Sequence, residues 1–394
     1  MLKQILRISS TNLRALSARW GASLVVVASM AGVTGVTIAI LAMAQGFQHT
    51  LGRAGRADRV VIMKAGEDNG MASAITREQL PVVLSAPGIA RTPEGKPLAS
   101  AQKFMHSMLR ERKTGAETSV ILRGVSEQGF KVWPEVRIVE GRAFAPGKRE
   151  LIAGRGARWQ FEGLDLGQEV EMVNGPWTVV GWFEAGGSVY ESELWGDTEK
   201  VIEGFSITGQ FASVTAVLES EAAFQAVADF IGKNPALAHQ VKRETDYYGE
   251  QGGQVSGAVR TLGYGVAGIM ALGALFSAIN TMYAAVGQRT REIATLRAIG
   301  FGGTPIVLSV LLESVLLCIA GALLGGAVAW VLFNGYAIST INWQSGGQVA
   351  FAFRVAPSLI GQGVLAACAV GLLGGLAPAL RAARLPVAEA LRRA

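Results

Sequence analysis

Cysteine, histidine and charge within apolar sequence are all scarce in this chain, and each scarcity removes a class of function. The two cysteines, Cys318 and Cys368, fall in long apolar runs, so the polar part of the chain has no disulfide and must be held by its core. The three histidines, His49, His106 and His239, are scattered, with no Cys or acid cluster at ligand spacing, which leaves a metal site unsupported. No Ser/His/Asp arrangement can be argued. No Gly-x-x-x-x-Gly-Lys-Ser/Thr loop occurs, so the sequence offers no nucleotide cradle and is not expected to hydrolyse ATP.

What is present is apolar sequence in four long stretches: residues 22–44, 262–286, 306–332 and 359–380. Each exceeds the roughly 20 residues a helix needs to cross a hydrocarbon core. Only the third holds a charged side chain, Glu313. Basic residues alternate between the connecting segments. Lys3, Arg7, Arg14 and Arg19 precede the first stretch; Arg289, Arg291 and Arg297 lie between the second and third; Arg381, Arg384, Arg392 and Arg393 follow the fourth. The segment between the third and fourth has only Arg354. The positive-inside rule then places both termini in the cytoplasm.

The fold class expected is an α-helical membrane protein of four transmembrane helices, with a large α+β extracytoplasmic domain between spans one and two. Its parts are a cytoplasmic amphipathic segment (1–20), helix one (21–45), the outer domain (46–261) and helix two (262–286). A cytoplasmic helix and loop (287–305), helix three (306–332), an outer loop (333–358), helix four (359–380) and a cytoplasmic tail (381–394) follow. Residues 46–261 hold 24 Lys/Arg and 27 Asp/Glu, a net −3, so the excess that makes the whole chain +6 sits beside the spans. Nucleic acid is not an expected partner. Ala42-Met43-Ala44 resembles a signal-peptidase site, but the apolar run is longer than the roughly 7–15 residues of a signal sequence, and cleavage is not expected.

The outer domain shows a strand–helix–strand rhythm at both ends. Residues 59–63 form a β-like run; Thr76 and Gln79 make a capping-box pattern for a helix to about Ser85, broken by Pro87-Gly88. Residues 211–218 are β-like; Ser220 can cap a helix over 221–232, ended by Asn234-Pro235, with a strand at 239–243. Between them, 170–173 and 177–183 flank Asn174-Gly175, a strong hairpin signal, and 136–139 and 150–153 are further strands. An α+β lobe built from both ends, with a β-rich lobe inserted near 125–205, is the expected layout. Residues 46–57 and 248–257, rich in Gly, Gln and Ser, read as linkers to the spans.

The most specific sequence is 288–301. Ile293, Leu296 and Ile299 share one helical face, with Arg289, Arg291, Glu292 and Arg297 as the charged complement, and Gly300 stops the helix. Such a helix suits the lipid surface or a groove of a cytoplasmic partner.

The run Arg291-Glu292-Ile293, Leu296 to Gly300, Glu313-Ser314 and Gly321 resembles the motif of the FtsX-like permease family of ABC transporters. This mechanotransmission (type VII) group includes the MacB and LolC/LolE types. The tail from Arg381 through Pro386 to Arg392 is similar to that family's ending. Leu122-Arg123-Gly124-Val125, Val139 to Phe144, Gly167 to Glu171 and Val179 to Trp182 resemble the MacB-type periplasmic core. The resemblance implies a permease subunit in a bacterial cytoplasmic (inner) membrane that couples ATP hydrolysis to extracytoplasmic shape change. Export or extraction of lipid-like, lipoprotein or small hydrophobic substrates would follow. The alternative it implies is an FtsX-like regulator that activates an extracytoplasmic enzyme without transport.

The partners implied are a cytoplasmic ABC ATPase subunit, a second permease subunit (identical or related), membrane lipids, and as further candidates a periplasmic adaptor and an outer-membrane channel. No cofactor is expected in this chain; ATP and Mg would be bound by the partner ATPase. Arg289, Arg291, Glu292, Ile293, Leu296, Arg297 and Gly300 would make the ATPase-coupling site, with Ile293 and Leu296 filling the groove. Glu313 is a structural candidate, an ion pair with Arg14, Arg19 or Arg297 being preferred over a proton or substrate site. Gly321, Gly325, Gly371 and Gly375 suit close helix packing. Trp20, Trp330 and Trp343 fit interfacial anchors, and Tyr247, Tyr248 and Trp195 are read as exposed aromatics.

Overall fold

A computed structural model describes residues 20–172, 175–204, 210–342 and 345–386. The expectations for the N-terminal segment, including Arg14 and Arg19, for the tip residue Asn174, for Trp343 and for the tail beyond Pro386 lie outside the described residues, as does the side chain of Trp20. The chain forms two compact units, one built from 46–256 with 337–352 and the other from the remaining residues.

The principal helices are α1 (Trp20–Gly52), α2 (Glu244–Gln288), α3 (Thr290–Ala298), α4 (Gly303–Phe333) and α5 (Pro357–Ala383). All but α3 are long and apolar enough to cross a membrane. In the helical unit, glycines set how near the helices come. A Cβ on Gly325 would lie 2.3 Å from the Ala31 carbonyl oxygen of α1, and one on Gly321 would lie 2.6 Å from that of Val27. On α5, a Cβ at Gly371 would stand 2.8 Å from Val315 Cα and one at Gly375 would stand 2.9 Å from Ser314 Cβ. Ser314 Oγ donates to the Gly371 carbonyl at 2.8 Å. Such contacts matter where lipid gives no hydrophobic drive for association. Val26, Met30, Ala278, Leu317, Cys318 and Ala367 complete this core.

The linkers expected at 46–57 and 248–257 are largely helix: α1 continues to Gly52 and α2 begins at Glu244. Each helical Gly costs only about 1 kcal/mol against Ala, and packing outweighs it here. Phe47, Leu51, Tyr247, Tyr248 and Gln251 are buried, and Gly252 gives room for Leu51.

The unit expected outside the membrane, the outer unit, is organised by one sheet. Its strands are β1 (Arg59–Lys64), β2 (Ala99–Arg110), β3 (Glu117–Val125), β4 (Arg137–Gly141), β5 (Glu150–Gly154), β6 (Glu169–Met172), β7 (Gly175–Glu184), β8 (Leu194–Asp197), β9 (Ser213–Val217) and β10 (His239–Arg243). Their order is β10-β1-β9-β2-β3-β8-β5-β7-β4, with β6 also on β7. Two lobes are present as two cores, one around Val60, Ile62, Val83, Val214 and Val227, the other around Leu122, Leu151, Phe161, Trp177 and Leu194. They are not separate sheets. The 12-residue β2 pairs β9 through Ala99–Gln102 and β3 through Lys103–Arg110.

The capping box forms reciprocally: Gln79 N–H donates to Thr76 Oγ1 at 3.2 Å and Thr76 N–H donates to Gln79 Oε1 at 3.1 Å. Ser220 makes no side-chain cap, because a tight turn over Glu221–Ala223 precedes the helix Phe224–Lys233.

The segment 333–358, expected as an outer loop, contains a hairpin of β11 (Ala337–Ile341) and β12 (Gln348–Ala352) that belongs to the outer unit. Val349 and Phe351 are 1% and 4% exposed, and burial of such side chains stabilises by roughly 1.5–3 kcal/mol each. Phe351 stands edge-on to Phe47 at 5.5 Å. Ala350 N–H donates to Ser192 Oγ at 2.9 Å.

Candidate functional site

The coupling candidates gather where α2 ends. Arg289 leaves helical geometry between α2 and α3, and α3 restarts with Ile293 N–H bonded to the Arg289 carbonyl at 2.9 Å. Gly300 ends α3 at φ +98°, a conformation open to glycine. Its N–H donates to Arg297 O and that of Phe301 to Leu296 O, both at 3.1 Å, the paired bonds of a Schellman ending.

Two of the expected contact residues face inward. Ile293 packs with Met282, Val286, Ile306, Val310, Ala379 and Ala382, so it fills the chain's own core and not a partner's groove. Arg289 is also buried and donates to Glu313 Oε2 at 3.0 Å. Glu313 is therefore paired with Arg289 and not with Arg297, whose Nη1 donates to the Leu385 carbonyl at 2.6 Å. Arg297 is turned to the chain after α5. Burial explains the choice, since a carboxylate inside the bundle needs a partner that is itself inside.

Outward-facing residues remain. Arg291, Glu292, Thr295, Ala298, Ile299 and Gly300 are exposed, and Leu296 and Arg297 are half-buried. Ile299, placed by its spacing on the apolar stripe, is 69% exposed. Trp330 is exposed on α4. A shallow cleft beside α3 is lined by Ala285, Glu292, Leu296, Ser309 and Glu313.

A second constellation, absent from the sequence expectations, lies inside the outer unit. Arg59 is 1% exposed; its Nε donates to Glu244 Oε2 at 2.5 Å and its Nη2 to Glu135 Oε1 at 2.6 Å. The Tyr190 hydroxyl donates to Glu244 Oε1 at 2.8 Å and accepts from Trp133 Nε1 at 3.0 Å. Arg123 grips Glu193 with Nε at 2.6 Å and Nη2 at 2.7 Å, and also bonds Gln102 and Tyr248. The rings of Phe104, Tyr190 and Trp195 surround its guanidinium at 4.6, 5.0 and 5.8 Å. Tyr247, Tyr248 and Trp195 are thus buried in this network, contrary to their reading as exposed aromatics.

Burial opposes charge on both arginines, yet the surrounding Glu and Tyr oxygens outweigh it and hold their pKa values above the ordinary one. Burial pushes the Tyr190 phenol up. Away from this network, hydrogen bonds from the exposed Arg142 hold the buried Glu150 carboxyl down to about 2. The one signal that could have found this network is a charge inside an apolar β run, as at Arg123 among Val120, Ile121, Leu122 and Val125. Among the described residues no group of three or more His, Cys, Asp and Glu could hold a metal ion.

The MacB-like periplasmic core domain model matches residues 23–233, and the FtsX-like permease C-terminal model matches residues 264–387. The uncharacterised ABC transporter permease YknZ of Bacillus subtilis is 26% identical over 316 residues, covering 75% of this chain and 74% of that protein. The macrolide export ATP-binding/permease protein MacB of Shewanella oneidensis is 37% identical over 117 residues, 29% of this chain and 16% of that protein. This chain therefore spans most of the first relative and a small part of the second. The extracellular domain of YknZ, a solved structure, aligns with 47% of this chain at 18% identity and a TM-score of 0.36.

Proposed function

Because this chain belongs to the ABC-transporter permeases that join a MacB-like periplasmic core domain to an FtsX-like C-terminal region, we propose that it is driven through α3 by an ATPase subunit. That subunit would supply ATP and Mg chemistry at the cytoplasmic face, and a second permease subunit, identical or related, would complete the complex. Nucleotide-driven closure of the ATPase pushes α3, and α1 and α2 carry the movement to the outer unit. The termini then lie in the cytoplasm of a bacterial inner membrane, as the basic segments suggest. The work done is export or extraction of lipid-like, lipoprotein or small hydrophobic molecules, with an adaptor and outer-membrane channel as candidate associates. Transport is preferred to enzyme regulation because relatives in this family are named for export.

The observation carrying this reading is the exposed face of α3. Arg291, Glu292 and Ile299 are exposed while Ile293 anchors the same helix inward. A helix fixed on one face and bare on the other suits docking into a groove. The test is purification of the complex from membranes with wild-type chain and with Arg291→Glu or Ile299→Asp. The wild type should bring down an ABC ATPase whose hydrolysis it stimulates, and each variant should insert normally but lose the ATPase. Equal recovery of the ATPase with both variants would remove α3 as the coupling surface.

A further inference from the structure

The β11–β12 hairpin has contacts that a loop between two spans does not need. Gly347 sits so close to β3 that a Cβ there would lie 2.3 Å from Ile121 Cγ1. Gly46 is as close to the hairpin's end, its Cβ position 2.2 Å from the Ala352 carbonyl oxygen. Asn342, 1% exposed, reaches Gln251 Oε1 with Nδ2 at 3.5 Å. Val349 and Phe351 are buried, and the Ser192 hydroxyl accepts from the Ala350 N–H. The chain from α4 to β11 is only residues 334–336, and from β12 to α5 only 353–356. These short connectors are themselves tied: Gly335 N–H donates to the Phe353 carbonyl at 2.9 Å, Phe353 N–H to the Tyr336 carbonyl at 3.0 Å, and the Phe333 and Phe353 rings stack at 5.9 Å.

We infer that the β11–β12 hairpin is a positioning strut, docked throughout the cycle, through which α4 and α5 move the outer unit alongside α1 and α2. The inference rests on the permease reading above. Its reasons are the close-packed glycine contacts and the buried apolar side chains, which make repeated undocking costly. The short bonded connectors leave little slack to absorb a movement of α4 before it reaches the hairpin. Since α4 directly follows α3, a push on α3 has a second route outward.

The test uses the whole complex in proteoliposomes, with Cys318→Ala and Cys368→Ala as background. A Cβ on Gly347 would lie 3.6 Å from Ile121 Cβ, inside the roughly 3.5–4.5 Å that a disulfide spans. The pair Ile121→Cys/Gly347→Cys should cross-link on oxidation and leave permease-dependent ATP hydrolysis within about twofold of wild type. Phe351→Asp should undock the hairpin and lower that activity by about tenfold or more. Cross-linking in the Phe351→Asp background should restore it, and reductant should remove the rescue. A separate readout, maleimide labelling of Val349→Cys, should show protection with and without ATP and vanadate.

Inactivation by the cross-link alone, reversed by reductant, would overturn the strut, as would nucleotide-dependent labelling of Val349→Cys. Full activity in Phe351→Asp with Val349→Cys freely labelled would also overturn it. If the wild-type chain does not alter ATP hydrolysis at all, the permease reading fails instead, while the labelling still decides whether the hairpin stays docked.

Discussion

Arg289 and Glu313 meet at 3.0 Å with their side chains only 7% and 6% exposed, so the residue that introduces α3 is fastened to the interior of α4. Removing one partner takes from the other its close counter-charge inside the bundle. Glu313→Leu is expected to destabilise the helical unit by about 3–5 kcal/mol. Arg289→Met/Glu313→Leu together should recover most of that loss. Denaturant titration of the purified protein checks both, and equal destabilisation by the single and double variants would show that the pair is not what the charge needs.

Glycine size is predicted to matter at Gly325 of α4 and not at Gly265 or Gly268 of α2. Gly325→Leu forces α1 away from α4 and should cost about 1–3 kcal/mol or more. Gly265→Ala and Gly268→Ala, where a Cβ meets nothing within 4 Å, should be neutral or stabilising by up to about 1 kcal/mol. Thermal unfolding in detergent would rank them.

Inside the outer unit, Arg123→Met strands the Glu193 carboxylate among aromatic rings. A loss of about 3–5 kcal/mol is expected, with Trp195 fluorescence reporting the change because its indole N–H donates to Glu193 at 3.0 Å. Arg123→Lys should not rescue, since a single ammonium cannot make the two-pronged contact.

Acid should expose the Arg142–Glu150 pair. The folded Glu150 carboxyl lies at about 2 against an ordinary value of 4.5, so its stabilising effect is complete above the ordinary value and is lost as pH falls toward 2. Arg142→Met should therefore be less stable than wild type at pH 7, and the gap should close on acidification through that window. Urea midpoints measured across pH test it; a gap that stays constant down to pH near 2 would contradict the assignment.

Much of this architecture was legible locally. Alternation and turn residues located β1, β4, β5, β7, β9 and β10, and Thr76 with Gln79 located a helix start, because these signals depend on neighbours in sequence. The hairpin at 337–352 was not legible: its burial depends on Ile121, Ser192 and Phe47, all far away in the chain. The helical ends of α1 and α2 were misread for the same reason, since Gly and Gln composition says nothing of the packing of Leu51 and Gly252. At the candidate site the spacing placed Ile293, Leu296 and Ile299 on one face, but not which of them turns inward. It also passed over Arg289 as the partner of Glu313, because charge on a helix end reads as solvated until the neighbouring helix is known.

Strand β2 has a mechanical consequence. Its ladder passes from Ser213 opposite Gln102 to Gly124 opposite Lys103 without an intervening gap. The two ladders meet end to end and share no residue of β2, so the lobes are held at this point by the strand itself and by side-chain bonds beside it, such as that of Arg123 to Gln102. One continuous strand is therefore the spine common to both lobes, and any bend of one lobe against the other is borne between Gln102 and Lys103.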